Sequence, residues 1–296
     1  MSFKSGFVAI IGAPNVGKST LLNAILGEKI SIVSRKPQTT RNVIRGVKNL
    51  KDCQIIFLDT PGLHRAKGLL NEFMVKQALS ALSDCDCALC LIDAKNPGGP
   101  GGEGFLIENL KRLKCPVFLV VNKVDLVEKR TLLPLMEKYL RLFPFKEAVP
   151  VSALKRDGVE LLVGILSKNM PFGPRYFPED IITDQPERFI ASEIIREKIF
   201  TLTKEEIPYS VAVAVEEFKE RPRKNLTYIS AVINVEKDSQ KAILIGKGGG
   251  MLKSIGTYAR EDIERLLGAK VFLKLFVRVK KDWTRDERAL REFGYE

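Results

Sequence analysis

The chain has 296 residues, 45% apolar and 28% charged, with a formal charge of +12 and a pI near 9.4. This length suits two domains better than one, and the composition is that of a soluble globular protein; no apolar run reaches the ~18 residues needed to span a bilayer. The positive excess points to a polyanionic partner. Five cysteines, an odd number without framework spacing, argue against a secreted disulfide scaffold and suit a reducing cytosol. Met1-Ser2-Phe3-Lys4-Ser5-Gly6 runs almost directly into a strand with no signal or transit peptide ahead of it, so a cytoplasmic location is expected.

Short apolar runs predict strands at Phe7–Ile11, Gln54–Leu58, Ala88–Asp93, Val117–Asn122 and Ala148–Val151. Amphipathic stretches between them predict helices at Lys18–Leu26, Leu70–Leu82, Phe105–Lys114, Leu132–Leu142 and Val159–Asn169. That alternation is the signature of a mostly parallel sheet with flanking helices. Gly98, Gly99, Pro100, Gly101 and Gly102 read as one flexible surface loop. Cys85-x-Cys87-x-x-Cys90 invites a metal reading, but Cys87–Asp93 reads as a buried strand and no second ligand cluster exists. These cysteines are therefore read as core residues.

Pro171-Phe172-Gly173-Pro174 and Phe177-Pro178 break the pattern, which places a first domain at 1–172, a linker at 173–185 and a second domain at 186–296. The second half predicts helix (Pro186–Leu202), strands (Tyr209–Glu217, Thr227–Val235), short helix (Gln240–Ile245), glycine turn, helix (Met251–Leu267) and strand (Val271–Val279). Lys241 to Lys281 holds ten basic and three acidic residues, a basic stripe beside that turn. Such a stripe is a better nucleic-acid signal than the global charge.

Gly12-Ala13-Pro14-Asn15-Val16-Gly17-Lys18-Ser19 fits G-x-x-x-x-G-K-[ST] between a predicted strand and a predicted helix, with Thr20 following in the first turn. The glycines let backbone N–H groups wrap phosphates, Lys18 brings a charge to the β- and γ-phosphates, and the Ser19 hydroxyl can ligate Mg²⁺. Asp59-Thr60-Pro61-Gly62 closes the next predicted apolar strand, putting a carboxylate within reach of the Mg²⁺ shell and the Gly62 N–H near the γ-phosphate. Asn122-Lys123-Val124-Asp125 ends a strand and selects the base: ionised Asp125 is acceptor-only and pairs with the two donors on guanine's edge, which adenine lacks. The Lys123 stem would cover the ring. Ser152-Ala153-Leu154-Lys155 can offer a backbone N–H to guanine O6. Leu63 stands where Ras-like enzymes carry a water-orienting glutamine, and His64 beside it is more often incidental on such a loop.

These motifs resemble the TRAFAC class of GTPases, and their finer wording is similar to the Era family. Lys36-Pro37-Gln38-Thr39-Thr40-Arg41 resembles that family's first switch, which implies that Thr40 reaches Mg²⁺ and the γ-phosphate. Ile245-Gly246-Lys247-Gly248-Gly249-Gly250-Met251-Leu252-Lys253-Ser254-Ile255-Gly256 resembles the G-x-x-G element of a KH domain, and the tail Trp283…Asp286-Glu287-Arg288-Ala289-Leu290 is also Era-like. The implied fold is a P-loop α/β domain followed by a smaller α+β KH-type domain. The implied activity is slow GTP hydrolysis to GDP and phosphate, with Lys18, Thr40 and Asn15 as the catalytic set. Asn15 resembles the asparagine of K⁺-stimulated relatives, which makes K⁺ a candidate activator. The implied role is a ribosome-assembly factor that binds the 3′ end of 16S rRNA and the small (30S) subunit, coupling nucleotide state to RNA binding, with weak peripheral contact at the inner face of the cell membrane. RNA bases would lie in an apolar groove lined by residues such as Ile245, Leu252 and Ile255, with helix N-termini and Lys247 meeting phosphates; Gly246, Gly248, Gly249 and Lys253 complete the expected RNA-binding set. The alternative is an RNA chaperone that uses nucleotide only as a structural ligand; intact Lys18, Ser19, Thr40 and Asp59 argue for the enzyme.

Overall fold

The computed structural model describes residues 3–34, 36–63, 68–83, 85–99, 102–222 and 225–295. His64, Pro100 and Gly101, singled out above, lie outside that set. The chain divides into two compact units. The first is built from most of the chain up to Asp184; the second runs from Gln185 onward and takes in two short earlier segments, Ile32–Thr39 and one ending at Phe73. No helix among the described residues is long and apolar enough to cross a membrane.

In the first unit, β1 (Lys4–Gly12), β2 (Ile44–Asn49), β3 (Cys53–Asp59), β4 (Cys87–Asp93), β5 (Val117–Asn122) and β6 (Ala148–Pro150) form one sheet in the order β2-β3-β1-β4-β5-β6. All neighbours are parallel except β2, which pairs antiparallel with β3. The near-continuous apolar runs of β3, β4 and β5 are buried along their length, as strands covered on both faces require. The helices α1 (Lys18–Leu26), α2 (Leu69–Ser80, of which the part from Met74 belongs to this unit), α3 (Gly102–Leu110), α4 (Leu132–Leu142) and α5 (Val159–Asn169) alternate with the strands. Because β1 lies between β3 and β4, the chain order reverses there, and the crevice beyond its carboxyl end is where such sheets bind ligands.

Strand β2 was not among the expected elements. Its sequence Ile-Arg-Gly-Val-Lys-Asn lacks a continuous apolar run: at the edge of the sheet only Ile44, Gly46 and Val47 are buried, and polar residues fill the rest. Cys87 and Cys90 are fully enclosed within β4, as the core reading required. The stretch expected as a linker is fastened to the first unit. The Gly173 N–H donates to the Phe3 carbonyl, the Tyr176 and Phe177 N–H groups to Gln54 Oε1, and the Val47 N–H to the Ile182 carbonyl.

The second unit contains α6 (Glu187–Leu202), β7 (Ala212–Arg221), β8 (Leu226–Val235), α7 (Asp238–Ile245), α8 (Gly250–Leu267), β9 (Lys270–Val279) and α9 (Glu287–Glu292). Its sheet has the order β7-β8-β9, antiparallel then parallel. Helices α6 and α8 supply one side of a core that includes Ile190, Ile194, Ile255, Ala259 and Ile263. Trp283 is wholly buried, and its indole N–H donates to the Ser210 carbonyl at 2.9 Å, which pins the tail to this unit.

Candidate functional site

The phosphate-facing loop joins β1 to α1. Gly17 caps α1 with φ near +100°, and a Cβ there would fall 2.3 Å from Asn122 Nδ2. Only glycine fits this corner. Gly62 is equally confined, since a Cβ would meet the Pro14 backbone at 2.8 Å. Asn15 adopts a left-handed conformation with φ +64° and is exposed, and its carbonyl accepts the Lys123 ammonium at 2.7 Å. Thr20 is half-buried in the first turn of α1.

Lys18 is buried beneath the loop, its ammonium donating to the Gly12 and Ala13 carbonyls at 3.2 and 3.0 Å. Burial pushes its pKa down to about 8, with the Asp59 charge pulling the other way. A phosphate placed beside the ammonium would favour the charged form further.

Ser19, Thr40 and Asp59 converge. Ser19 Oγ stands 2.9 Å from Thr40 Oγ1 and donates to Asp59 Oδ2 at 2.6 Å. Asp59 Oδ2 also accepts from Ser31 Oγ at 2.8 Å, while the fully buried Asp59 Oδ1 has no hydrogen-bond partner. Burial pushes the Asp59 carboxyl up, opposed by Ser19, Lys18 and Ser31. Two hydroxyls around a buried carboxylate with an orphaned oxygen are the donor set of a small, hard cation, so the residues fit Mg²⁺. Ser31 was missing from the sequence reading because it belongs to no fixed-spacing motif. Asn23 holds it: Asn23 Nδ2 donates to the Ser31 carbonyl, and Asn23 Oδ1 accepts from the Ile30 and Ser31 N–H groups.

The base-side loops are knit to the phosphate loop by buried hydrogen bonds. Asn122 Nδ2 donates to the Val16 carbonyl at 2.8 Å, and Asn122 Oδ1 accepts from the Ala153 N–H at 3.0 Å. The Val124 N–H donates to the Val151 carbonyl. Ser152 Oγ donates to Asp125 Oδ1 at 2.6 Å, fixing a carboxylate that keeps a second oxygen for a ligand. Lys123 is held at its tip by Asp93 Oδ2 at 2.6 Å, a partner the motif alone does not reveal. Thr60 and Pro61 follow β3, with Thr60 Oγ1 donating to the Ile10 carbonyl at 2.7 Å. Leu63 is buried in the core, and its N–H donates to the Gly12 carbonyl at 3.0 Å. Its side chain therefore cannot hold a water by hydrogen bonding.

In the second unit, Gly246, Gly248 and Gly249 all have positive φ, and Lys247 is exposed at the turn's tip. A Cβ on Gly246 would meet the Met251 backbone N at 2.9 Å, whereas Gly248 faces open space. Beside the turn lies a groove of about 380 Å³ lined by Gly249, Leu252, Lys253, Gly256, Phe272 and Leu275, among others. The expected lining needs correction. Leu252, Gly256 and Arg260 form the groove stripe of α8, while Ile255, Ala259 and Ile263 form its core stripe, so Ile255 is fully buried. Ile245 is half-buried and does not line the groove; residues of β9, led by the exposed Phe272, take that role.

Comparison with known proteins agrees with this architecture. The family described as 50S ribosome-binding GTPase matches residues 7–123, and the KH domain matches residues 206–284. The chain is 58% identical over 294 residues to GTPase Era of Geotalea uraniireducens, covering 99% of this chain and 98% of that protein. It is 57% identical over 293 residues to GTPase Era of Geobacter metallireducens, with the same coverage. Its structure matches a crystal structure of Era in complex with MgGDPNP and nucleotides 1506–1542 of 16S ribosomal RNA, at a TM-score of 0.95, 44% identity and 99% coverage of each chain. An Aquifex aeolicus Era variant bound to GDP·AlF4⁻ matches with the same values. The chain belongs to the Era family of GTPases.

Proposed function

We propose that this protein hydrolyses GTP slowly in its first unit and binds the 3′ end of 16S rRNA on the small (30S) ribosomal subunit through its second, with nucleotide state controlling RNA binding. The observation that carries the hydrolytic reading is the convergence of Ser19, Thr40 and Asp59, a carboxylate whose other oxygen, Oδ1, is buried without a partner. Mg²⁺ at that oxygen set would neutralise charge developing on the transferred phosphoryl group. Lys18 meets the β- and γ-phosphates, and the N–H groups of residues 12, 13 and 15–20 cradle them; Pro14 has none to offer. Asp125 reads the guanine edge, with Asn122, Lys123, Val124, Ser152 and Ala153 shaping the base pocket. The relatives' bound nucleotide analogues and RNA support this reading.

Since Leu63 is buried and apolar, water positioning would fall to backbone groups, and Asn15 would help hold a monovalent cation that supplies positive charge there. In the second unit, Gly246, Lys247, Gly248 and Gly249 present backbone and charge to RNA phosphates, and Leu252, Lys253 and Phe272 border the groove for unstacked bases. We assign the nucleotide work to residues 1–172 and the RNA work to 186–296. GTP and ribosomal RNA meet in the cytoplasm, which is where this reading places the protein; weak peripheral contact with the inner face of the membrane is its finer form.

The test is phosphate release from GTP with and without a short 16S 3′-end RNA, in K⁺ and in Na⁺. Turnover is expected in K⁺, lower in Na⁺, and Asn15→Ala should remove most of that difference. A rate indifferent to the monovalent cation contradicts the cation's role, and no turnover under any condition contradicts the enzyme.

A further inference from the structure

Two half-buried cysteines sit at the end of the first unit's sheet opposite the phosphate-facing loops. Cys85 precedes β4, and Cys115 precedes Pro116 and β5, strands that run parallel and side by side. The Ala88 N–H donates to the Pro116 carbonyl at 3.0 Å, which draws the two strand entrances together. The two sulfurs stand 3.5 Å apart, and Cys85 Sγ also lies 3.5 Å from the Leu82 carbonyl oxygen.

We propose that Cys85 and Cys115 are a redox-sensitive thiol pair that a hydroperoxide converts to an intramolecular disulfide. The pair is electronically asymmetric. The contact between the two sulfurs holds the Cys115 thiol below its usual range, against burial and the nearby Asp86 carboxylate, and pushes Cys85 up. Cys115 is thus the nucleophile and Cys85 the resolving thiol, the arrangement by which accessible low-pKa cysteines sense oxidants. The other three cysteines are buried and their thiols are pushed up: Cys53, Cys87 (to about 12) and Cys90.

The chemistry balances. The Cys115 thiolate attacks a peroxide oxygen, the O–O bond breaks, and the released hydroxide takes a solvent proton, leaving Cys115 as a sulfenic acid. Cys85 sulfur then attacks Cys115 sulfur; the S–O bond breaks, and the hydroxide departs as water with the Cys85 proton. Two thiols and one hydrogen peroxide give one disulfide and two waters, both sulfurs being oxidised and the peroxide reduced by two electrons.

The test treats the full-length protein with hydrogen peroxide near neutral pH, alkylates the remaining thiols without reductant, and maps peptides by mass spectrometry. A Cys85–Cys115 linked peptide in monomeric protein is expected. In Cys85→Ser the linked peptide should vanish and Cys115 should be trapped as a sulfenic acid by a 1,3-dione probe; in Cys115→Ser both products should be lost. Retained GTP binding in these variants shows that they fold. Independently of any variant, Cys115 in the wild type, half-buried where Cys90 is fully buried, should react with iodoacetamide at least ~10-fold faster than Cys90. Absence of the linked peptide, a different pairing, or a Cys115 no faster than Cys90 overturns the proposal.

Discussion

The loops proposed to hold nucleotide in the first unit and the glycine turn proposed to meet RNA in the second would both bring backbone close to phosphates, yet they are built in opposite ways. The first is closed: Lys18, Asp59, Asn122 and Ser152 are buried; Lys18 braces its own loop, and the other three tie neighbouring segments together through side-chain hydrogen bonds. The second is open: Lys247 and Phe272 are exposed, and a Cβ on Gly248 or Gly249 would touch nothing within 4 Å. A buried polar network fixes one geometry for one small ligand, because every group left unpaired in it is costly. An exposed groove with a positive rim tolerates a flexible polymer and trades precision for counterion release.

The largest effect should come from breaking the closed site at its charge. Lys18→Ala should lower phosphate release from GTP by about 10³-fold or more, since it removes the fixed cation facing the transferred phosphoryl group. The thermal midpoint of the ligand-free protein should not fall, because the ammonium is buried at a desolvation cost. Asp125→Asn should invert base preference toward xanthine nucleotides, by about 10²-fold as measured by competition binding, because it exchanges an acceptor for a donor at the guanine edge.

Opening the comparison from the other side, Lys247→Asp combined with Gly248→Asp should reduce single-stranded RNA affinity by about 10-fold or more at moderate salt, while GTP affinity stays unchanged. Wild-type RNA affinity should fall with added salt more steeply than that of the variant. Undiminished RNA binding would make the glycine turn purely structural. The smallest and sharpest contrast is in stability. Gly17→Ala drives a methyl to 2.3 Å from Asn122 Nδ2 at φ near +100° and should cost about 1–3 kcal/mol. Gly248→Ala meets no neighbour and should cost only ~1 kcal/mol, the left-handed backbone alone. Equal melting shifts for the two would erase the distinction between the sites.

The same contrast decides what the sequence discloses. The nucleotide loops follow strands β1, β3 and β5 at fixed spacings, so Gly12–Ser19, Asp59–Gly62 and Asn122–Asp125 could be placed from residues alone. What escaped notice acts through tertiary contact: Ser31 reaches Asp59 only because Asn23 folds the turn around it, and Asp93 meets Lys123 across neighbouring strands. Strand β2 escaped for want of a continuous apolar run. The groove was half legible. The glycine turn and α8 are sequence signals, but which stripe of α8 faces the core depends on where β9 lies, and Ile255 was consequently assigned to the wrong side.

The most direct measurement of the central claim is steady-state phosphate release by the wild-type protein from GTP and from ATP at equal concentrations with Mg²⁺ and K⁺. If the carboxylate of Asp125, fixed by Ser152, reads guanine's donors as proposed, release from GTP is at least ~10²-fold faster than from ATP. Equal rates for the two nucleotides would contradict the assignment of Asp125 and, with it, the reading of the first unit as a guanine-specific hydrolase.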